Sequence, residues 1–221
     1  MSTRVVLWRH GRTASNAEGR FQGQLDVDLD DVGRAQAAEA AAVLAELAPT
    51  RIVSSDLLRA AHTAAALAER TGLVVETDPA LRELHAGAWQ GLLHAEIRAG
   101  WPEMFEAWRG GQDVAIGGGE RRSEVGARVA DAVRASAAAT PDGGPLVVVS
   151  HGGAVQAGVL ELLGLPIGSW SRLGGLGNCR WAVLEERADG WSLVGYDLGA
   201  VPHPPPRRSS SDSAAEAAAT V

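Results

Sequence analysis

Two histidines stand in matching surroundings. Arg9-His10-Gly11 follows the apolar run Val5-Val6-Leu7-Trp8, and Ser150-His151-Gly152-Gly153 follows Leu146-Val147-Val148-Val149. An imidazole changes charge near neutral pH, so it can attack, carry a proton or hold an anion. Arginine arrives in the same setting: Arg9 precedes His10, and Arg59 falls in the first turns of the helix expected after Ile52-Val53-Ser54. A guanidinium fork grips phosphoryl oxygens in pairs, and a helix start adds its dipole. Two arginines beside two histidines make a box suited to a dianionic phosphoryl group. An acid is available in Leu81-Arg82-Glu83, followed by a loop bearing Gly87, Trp89 and Gly91. That loop can shield Glu83 from water, and a shielded carboxyl can keep a proton for a leaving group. Each residue alone has a plain reading as a structural histidine, a solvated arginine or a surface glutamate. Their combination carries the argument.

The elements that must position these groups are short apolar strands alternating with helices. Strands are expected at 5–8, 51–54, 73–75 and 146–149. A helix capped by Asp30 or Asp31 should run to Pro49 with Val43, Leu44 and Leu47 on its buried face. Further helices are expected at 57–71, closed by Gly72, near 92–99 and 103–109, from Glu120 to Ala139, and after Ser150-His151-Gly152-Gly153 to about Leu163. Segments 180–186 and 191–196 read as a closing hairpin turned at Asp189-Gly190. This alternation implies a three-layer α/β/α sandwich with a mostly parallel central sheet. In such sheets ligands bind beyond the carboxyl ends of the strands, which would bring His10 and His151 to one crevice. Each is followed by glycine, which allows backbone to approach a ligand closely.

Composition excludes other classes. The chain has 221 residues and a net charge of −7. An ordinary apolar content fits one globular domain, expected over 1–200, rather than a disordered or fibrous chain. All 20 basic residues are Arg, so P-loop lysine and lysine Schiff-base chemistry are not available. The acidic balance argues against a nucleic-acid surface, and no apolar run is long enough to span a membrane. The single Cys179 and the lack of a targeting segment point to the cytoplasm. Residues 201–221, rich in Pro, Ser and Ala, read as a disordered tail.

The landmarks taken together resemble the histidine phosphatase superfamily, the phosphoglycerate-mutase-like proteins. They are Arg9-His10-Gly11-Arg12-Thr13 with Asn16, then Ser54-Ser55-Asp56-Leu57-Leu58-Arg59-Ala60, Leu81-Arg82-Glu83 with Gly87 and Trp89, and Ser150-His151-Gly152-Gly153. The resemblance covers roughly residues 3 to 198. It implies a phosphoglycerate-mutase-like fold and a phosphomonoesterase that needs no metal or other cofactor. His10 would be the nucleophile, giving a phosphohistidine. Arg9, Arg59 and His151 would hold the phosphoryl oxygens, with Thr13, Asn16, Gln22, Gly23 and Gly152 as further phosphate or substrate contacts. Glu83 would protonate the departing alcohol and then help deprotonate the attacking water. This chemistry requires a neutral His10 and is served best by a cationic His151, so the two pKa values are expected to lie apart.

The short span between Glu83 and His151 and the stretch Phe21–Asp26 favour hydrolysis over mutase transfer. Phe21–Asp26 and Leu165–Asn178 further resemble an actinobacterial branch of the family. That likeness implies a glucosylated phosphoglycerate, or a related small phosphorylated metabolite, as substrate. Two features depart from the branch: Arg12, which could obstruct the entrance, and Pro102–Gly119, expected to form part of a lid. Trp89, Trp101, Trp108 and Trp170 could stack on a sugar or fill the core, whereas Trp8 and Trp181 read as core. His62 and His94 read as incidental, and His85 is the extra histidine that could reach the site. A metal hydrolase built on His10, His85 and His151, a broad acid phosphatase, a phosphoglycerate mutase and a phosphate-binding module are the alternatives. The apolar closing hairpin suggests a homodimer edge.

Overall fold

The computed structural model describes residues 3–140 and 144–200; the expected tail at 201–221 lies outside the described residues. Six strands form one sheet: β1 (Arg4–Arg9), β2 (Arg51–Ser54), β3 (Val75–Thr77), β4 (Leu146–Ser150), β5 (Trp181–Arg187) and β6 (Gly190–Leu198). Their order is β3-β2-β4-β1-β5-β6. The first four run parallel, and β5 and β6 are antiparallel additions beside β1. The sheet is therefore mixed but mostly parallel, as the alternation implies.

β1 and β4 lie at its centre because both of their faces are apolar. Val5, Leu7, Val148 and Leu146 face one core, and Val6, Trp8, Val147 and Val149 face the other. The second core is closed by α2 (Asp31–Ala45) and α3 (Leu58–Thr71). The first is closed by α6 (Arg122–Ala138) and α7 (Gly152–Leu162). Shorter helices α1 (Ala14–Glu18), α4 (His94–Gly100), α5 (Pro102–Arg109) and α8 (Trp170–Leu173) lie in the connections above the sheet edge.

Three expectations need correction. The third strand begins at Val75 rather than Leu73. It pairs only with β2, from Ile52↔Val75 to Ser54↔Thr77, and Val74 is 82 % exposed. A parallel edge strand is placed by its partner's register, which apolar content alone does not give away. The buried face of α2 is Gly33, Ala37, Ala40, Ala41 and Leu44, while Val43 and Leu47 are each 37 % exposed. Small residues win this face because α2 lies close against the sheet and α3, and the larger Val43 turns out. The helix also ends at Ala45, before Pro49.

The short β3 aside, the strands expected from sequence are all present, and the hairpin turn falls at Ala188-Asp189 with Gly190 at φ 128°. Asp30 caps α2 through Oδ1, which accepts from the Gly33 N–H at 2.7 Å. Leu44→Ala should cost about 2–5 kcal/mol, while Val43→Ala should stay within about 0.5 kcal/mol of wild type. Urea unfolding of both variants measures the contrast, and equal losses would overturn this assignment of the helix face.

Candidate active site

The carboxyl ends of β1, β2 and β4 meet at one edge, and the chain leaves each strand carrying a polar group. The ladder continues one residue past the strands: His10 N–H donates to the Ser150 carbonyl at 3.0 Å, and Ser55 N–H to Val149 at 2.9 Å. His10 and His151 are thereby held with ring centroids 5.2 Å apart. Above them opens a cavity of about 520 Å³. Arg9, His10, Asn16, Gln22, Gly23, Arg59, Glu83 and Gly152 border it.

His10 is buried, and its Nδ1 lies 2.7 Å from the Gly11 carbonyl. A carbonyl only accepts, so Nδ1 carries the proton and Nε2 keeps its lone pair. Burial, then the charges of Arg9 and Arg59, hold this imidazole well below the usual histidine range. Gly11 is needed for packing: a Cβ there would sit 2.4 Å from the Gly33 carbonyl oxygen at the start of α2. That close approach is to protein backbone, where the sequence alone suggested a ligand.

Arg59, at the second position of α3, is buried with three donors engaged. Nη2 donates to Gly23 O and Nη1 to Leu25 O, both at 2.7 Å, and Nε to His151 Nδ1 at 3.1 Å. Burial lowers its pKa to about 10, so it remains charged at neutral pH. Arg9 donates through Nη1 to the Leu176 carbonyl, while its buried Nε has no partner. Asp26 caps α3 from the same loop by accepting from Leu58 N–H at 2.8 Å.

Glu83 stands at the start of α7. Oε2 accepts from Gly153 N–H at 3.0 Å, and Oε1 from Ala154 and Leu84 N–H at 2.9 Å each. A helix N-terminus is a natural seat for a carboxylate. A Cβ on Gly153 would lie 2.8 Å from Oε1, so glycine is required for this contact. From behind, Arg128 donates to the carbonyls of Ala80, Arg82 and Glu83 and pairs with Glu120 at 2.8 Å. Gln24 Nε2 also donates to the Glu83 carbonyl at 3.0 Å. Loop 22–26 thus ties the arginine and the acid to one another.

His151 and Thr13 do not border the cavity. His151 is fully buried behind Arg59; Nδ1 accepts from Arg59, so Nε2 carries the proton and faces Ser55 Oγ at 2.8 Å. Burial and then Arg59 hold it well below the usual histidine range as well. The two histidines are thus both driven neutral, where opposite shifts were expected, because both are buried and the same two guanidinium groups add to the effect of burial. Thr13 is the buried cap of α1. Its Oγ1 donates to Gln22 Oε1 at 2.9 Å and accepts from Asn16 N–H at 3.1 Å, positioning two cavity residues. Asn16 Oδ1 also accepts from Asn178 Nδ2, which leaves its amide nitrogen for the cavity.

Arg12 turns away to Asp30 at 2.8 Å and does not obstruct the entrance. His62 pairs with Asp28 on the surface. His85 is exposed outside the cavity, and His94 borders it instead. Trp8, Trp89 and Trp181 are core and Trp101 packs against the core, whereas Trp108 and Trp170 line the cavity. Arg122 and Gln156, which the sequence reading missed, also line it; Gln156 Nε2 donates to the carbonyls of Trp170 and Gly174. Their helices read as ordinary amphipathic segments, with no motif to mark either residue. Among the described residues, no group of three His, Cys, Asp or Glu side chains lies together as a metal site.

A phosphoryl-sized anion box at the edge of a mixed α/β sheet agrees with the sequence comparison. The chain belongs to the histidine phosphatase superfamily (branch 1), which it matches over residues 5–198, and is accordingly a phosphoric monoester hydrolase acting on small phosphorylated substrates. It is 48 % identical over 189 residues to glucosyl-3-phosphoglycerate phosphatase of Mycobacterium tuberculosis, covering 82 % of this chain and 85 % of the relative. It is 47 % identical over 195 residues to the enzyme of that name from Mycolicibacterium vanbaalenii, covering 85 % and 87 %. A solved structure of the mycobacterial phosphatase in complex with VO3 superposes with a TM-score of 0.85 at 44 % identity, covering 89 % of this chain and all of the other.

Two neutral buried histidines make stability depend on pH. The unfolded chain takes up their protons below about pH 6.5 and the folded chain does not, so stability present above that pH is lost as pH falls. The loss should come to about 1 kcal/mol for each histidine between pH 6.5 and 5.5, steepening toward about 1.4 kcal/mol per pH unit below that. Urea unfolding across this window should show it, with a shallower slope for His10→Gln. A flat profile would overturn the neutral pair.

Proposed function

We propose that the chain hydrolyses phosphate monoesters through a phosphohistidine on His10. The observation that carries this is the Nδ1–Gly11 hydrogen bond, which leaves an unprotonated Nε2 beside two buried guanidinium groups. In the first step Nε2 attacks phosphorus and the ester P–O bond breaks. Glu83 passes a proton to the departing alkoxide. In the second, Glu83 takes a proton from water, whose oxygen attacks the phosphohistidine, and inorganic phosphate leaves with His10 restored.

Arg9 and Arg59 stabilise the equatorial oxygens, with the Asn16 amide, Gln22, Gly23 and the Gly152 N–H as further contacts. His151 acts here by orienting Arg59. Thr13 acts through Asn16 and Gln22.

We further propose a glucosylated phosphoglycerate as the substrate. The named activity of the mycobacterial relatives supports it. So does the cavity, whose far walls are formed by Phe21, His94, Trp108 and Trp170 and leave room beyond the phosphoryl end. A cytoplasmic setting belongs to the same reading, supported by the free, buried Cys179. No described helix is long and apolar enough to cross a membrane.

Phosphate release with a chelator present tests the chemistry. The panel is glucosyl-3-phosphoglycerate, both phosphoglycerates, sugar phosphates and p-nitrophenyl phosphate. His10→Ala should lower turnover on the order of 10⁴-fold or more. Broad, weak release would keep the chemistry and remove the substrate. Interconversion of phosphoglycerates without net release would make the chain a mutase, and loss of activity to the chelator would bring back the metal hydrolase.

We also propose that the catalytic unit ends near residue 200, since the family match stops at 198. Deleting residues after 202 should leave turnover unchanged, and a tenfold drop would overturn this. The edge strand β6, with Val194 and Leu198 exposed, supports pairing into a homodimer. Sedimentation of the same truncated chain checks that pairing.

A further inference from the structure

The cavity carries more positive charge than its phosphoryl end requires. Arg9, Arg20, Arg59 and Arg122 border it, against Glu83 as the one bordering acid among the described residues. Arg20 has a partner of its own in Glu18 at 2.6 Å. Arg122 does not. It is the first residue of α6 and is only 4 % exposed. Its guanidinium lies 3.5 Å from the centroid of Trp170 and 4.9 Å from that of Trp108.

Nη2 donates to the Trp108 carbonyl at 2.9 Å, and the contact of Nη1 with Gln112 O is long, at 3.4 Å. Asp113, the acid whose charge Arg122 feels, is engaged instead by the hydroxyl and N–H of Ser123. Among the described residues no carboxylate lies within ion-pair distance of Arg122. Burial lowers its pKa to about 10, which still leaves it charged at neutral pH. A second donor is unspent beside it: Trp170 Nε1 is buried without an acceptor. A buried cation is costly without a counter-charge, and here a ligand in the cavity can supply one.

We propose that Arg122 and the Trp170 N–H form an anion subsite on the far wall, taking a carboxylate carried by the same molecule as the phosphoryl group. The inference rests on the phosphatase reading and assigns the residues that select for a second, carboxylate charge on the substrate. Carboxylate fits better than a second phosphate. Trp170 covers one guanidinium face, Trp108 flanks the group from another side, and Nη2 is already given to the Trp108 carbonyl, so few donors are left for the cavity, which suits a flat, singly charged acceptor. A phosphate dianion presents three oxygens and needs donors from more directions than these.

The test compares 3-phosphoglycerate with its carboxyl methyl ester, which keeps the phosphate and loses the second charge. Calorimetric binding to the full chain and kcat/KM for phosphate release are both read. Wild type should prefer the free acid by about tenfold or more in each, as expected for one charge-assisted pair. Arg122→Gln should bring that ratio within about twofold of one. Because the two esters are compared on one protein, general damage to the variant cancels.

Should Arg122→Gln fail to fold, Trp170→Phe keeps the stacking ring and removes only the N–H. Its ratio should fall about threefold. A wild-type ratio near one, or a ratio that survives Arg122→Gln unchanged, overturns the subsite. If neither ester nor p-nitrophenyl phosphate releases phosphate, the phosphatase reading fails separately, and the binding ratio still decides the subsite.

Discussion

Burial of the Arg59 guanidinium is the constraint on which the rest of the site depends. Removing a cation from water costs several kcal/mol unless its donors are met. Among the described residues no carboxylate pairs with it directly, and three of its N–H donors are met by two carbonyls of loop 22–26 and by the lone pair of His151. Loop 22–26 must therefore fold back over α3, where Asp26 caps that helix and Gln24 reaches the Glu83 backbone. His151 must be neutral and of one tautomer. The acid, the second histidine and the loop are consequences of housing one charge at the end of β2, and the same charge helps to keep His10 unprotonated.

Satisfied donors also make the box rigid before any ligand enters. Arg9 is held by Leu176, Asn16 by Thr13 and Asn178, and Glu83 by three backbone N–H groups. Fixed dipoles that need no reorganisation are the most effective way to stabilise charge developing on a phosphoryl group. The stretch from Trp170 to Asn178 contributes here chiefly through its backbone. Gln156 grips its carbonyls, and Asn178 bonds the carbonyl of His10 itself.

Much of this was legible in the sequence, for physical reasons that differ by element. β1 and β4 announce themselves because a strand buried on both faces must be apolar without alternation. The convergence of His10, Arg59 and His151 follows because parallel strands present their carboxyl ends together. The rest depended on packing. Val43 and Leu44 are equally apolar in sequence, and only the close approach of α2 decides which turns inward. Register, set by β2, moves β3 past Leu73 and Val74. Arg122 sits in a helix start with no motif, and only the folding of α5 and α8 over it turns an ordinary arginine into a cavity wall. The placement of His151 behind Arg59 depends on side-chain geometry that spacing does not encode.

The sheet order carries a consequence for the making of the protein. β1 leaves the ribosome ahead of the other strands of this sheet, yet its neighbours are β4 and β5, beginning at Leu146 and Trp181. For most of synthesis Val5-Val6-Leu7-Trp8 has no partner, so a chain emerging N-terminus first carries this apolar strand exposed. Non-local pairings of this kind close late and slowly, and exposed strands invite association in the meantime. The anion box, assembled from the ends of β1 and β4, is accordingly among the last parts of the molecule to exist.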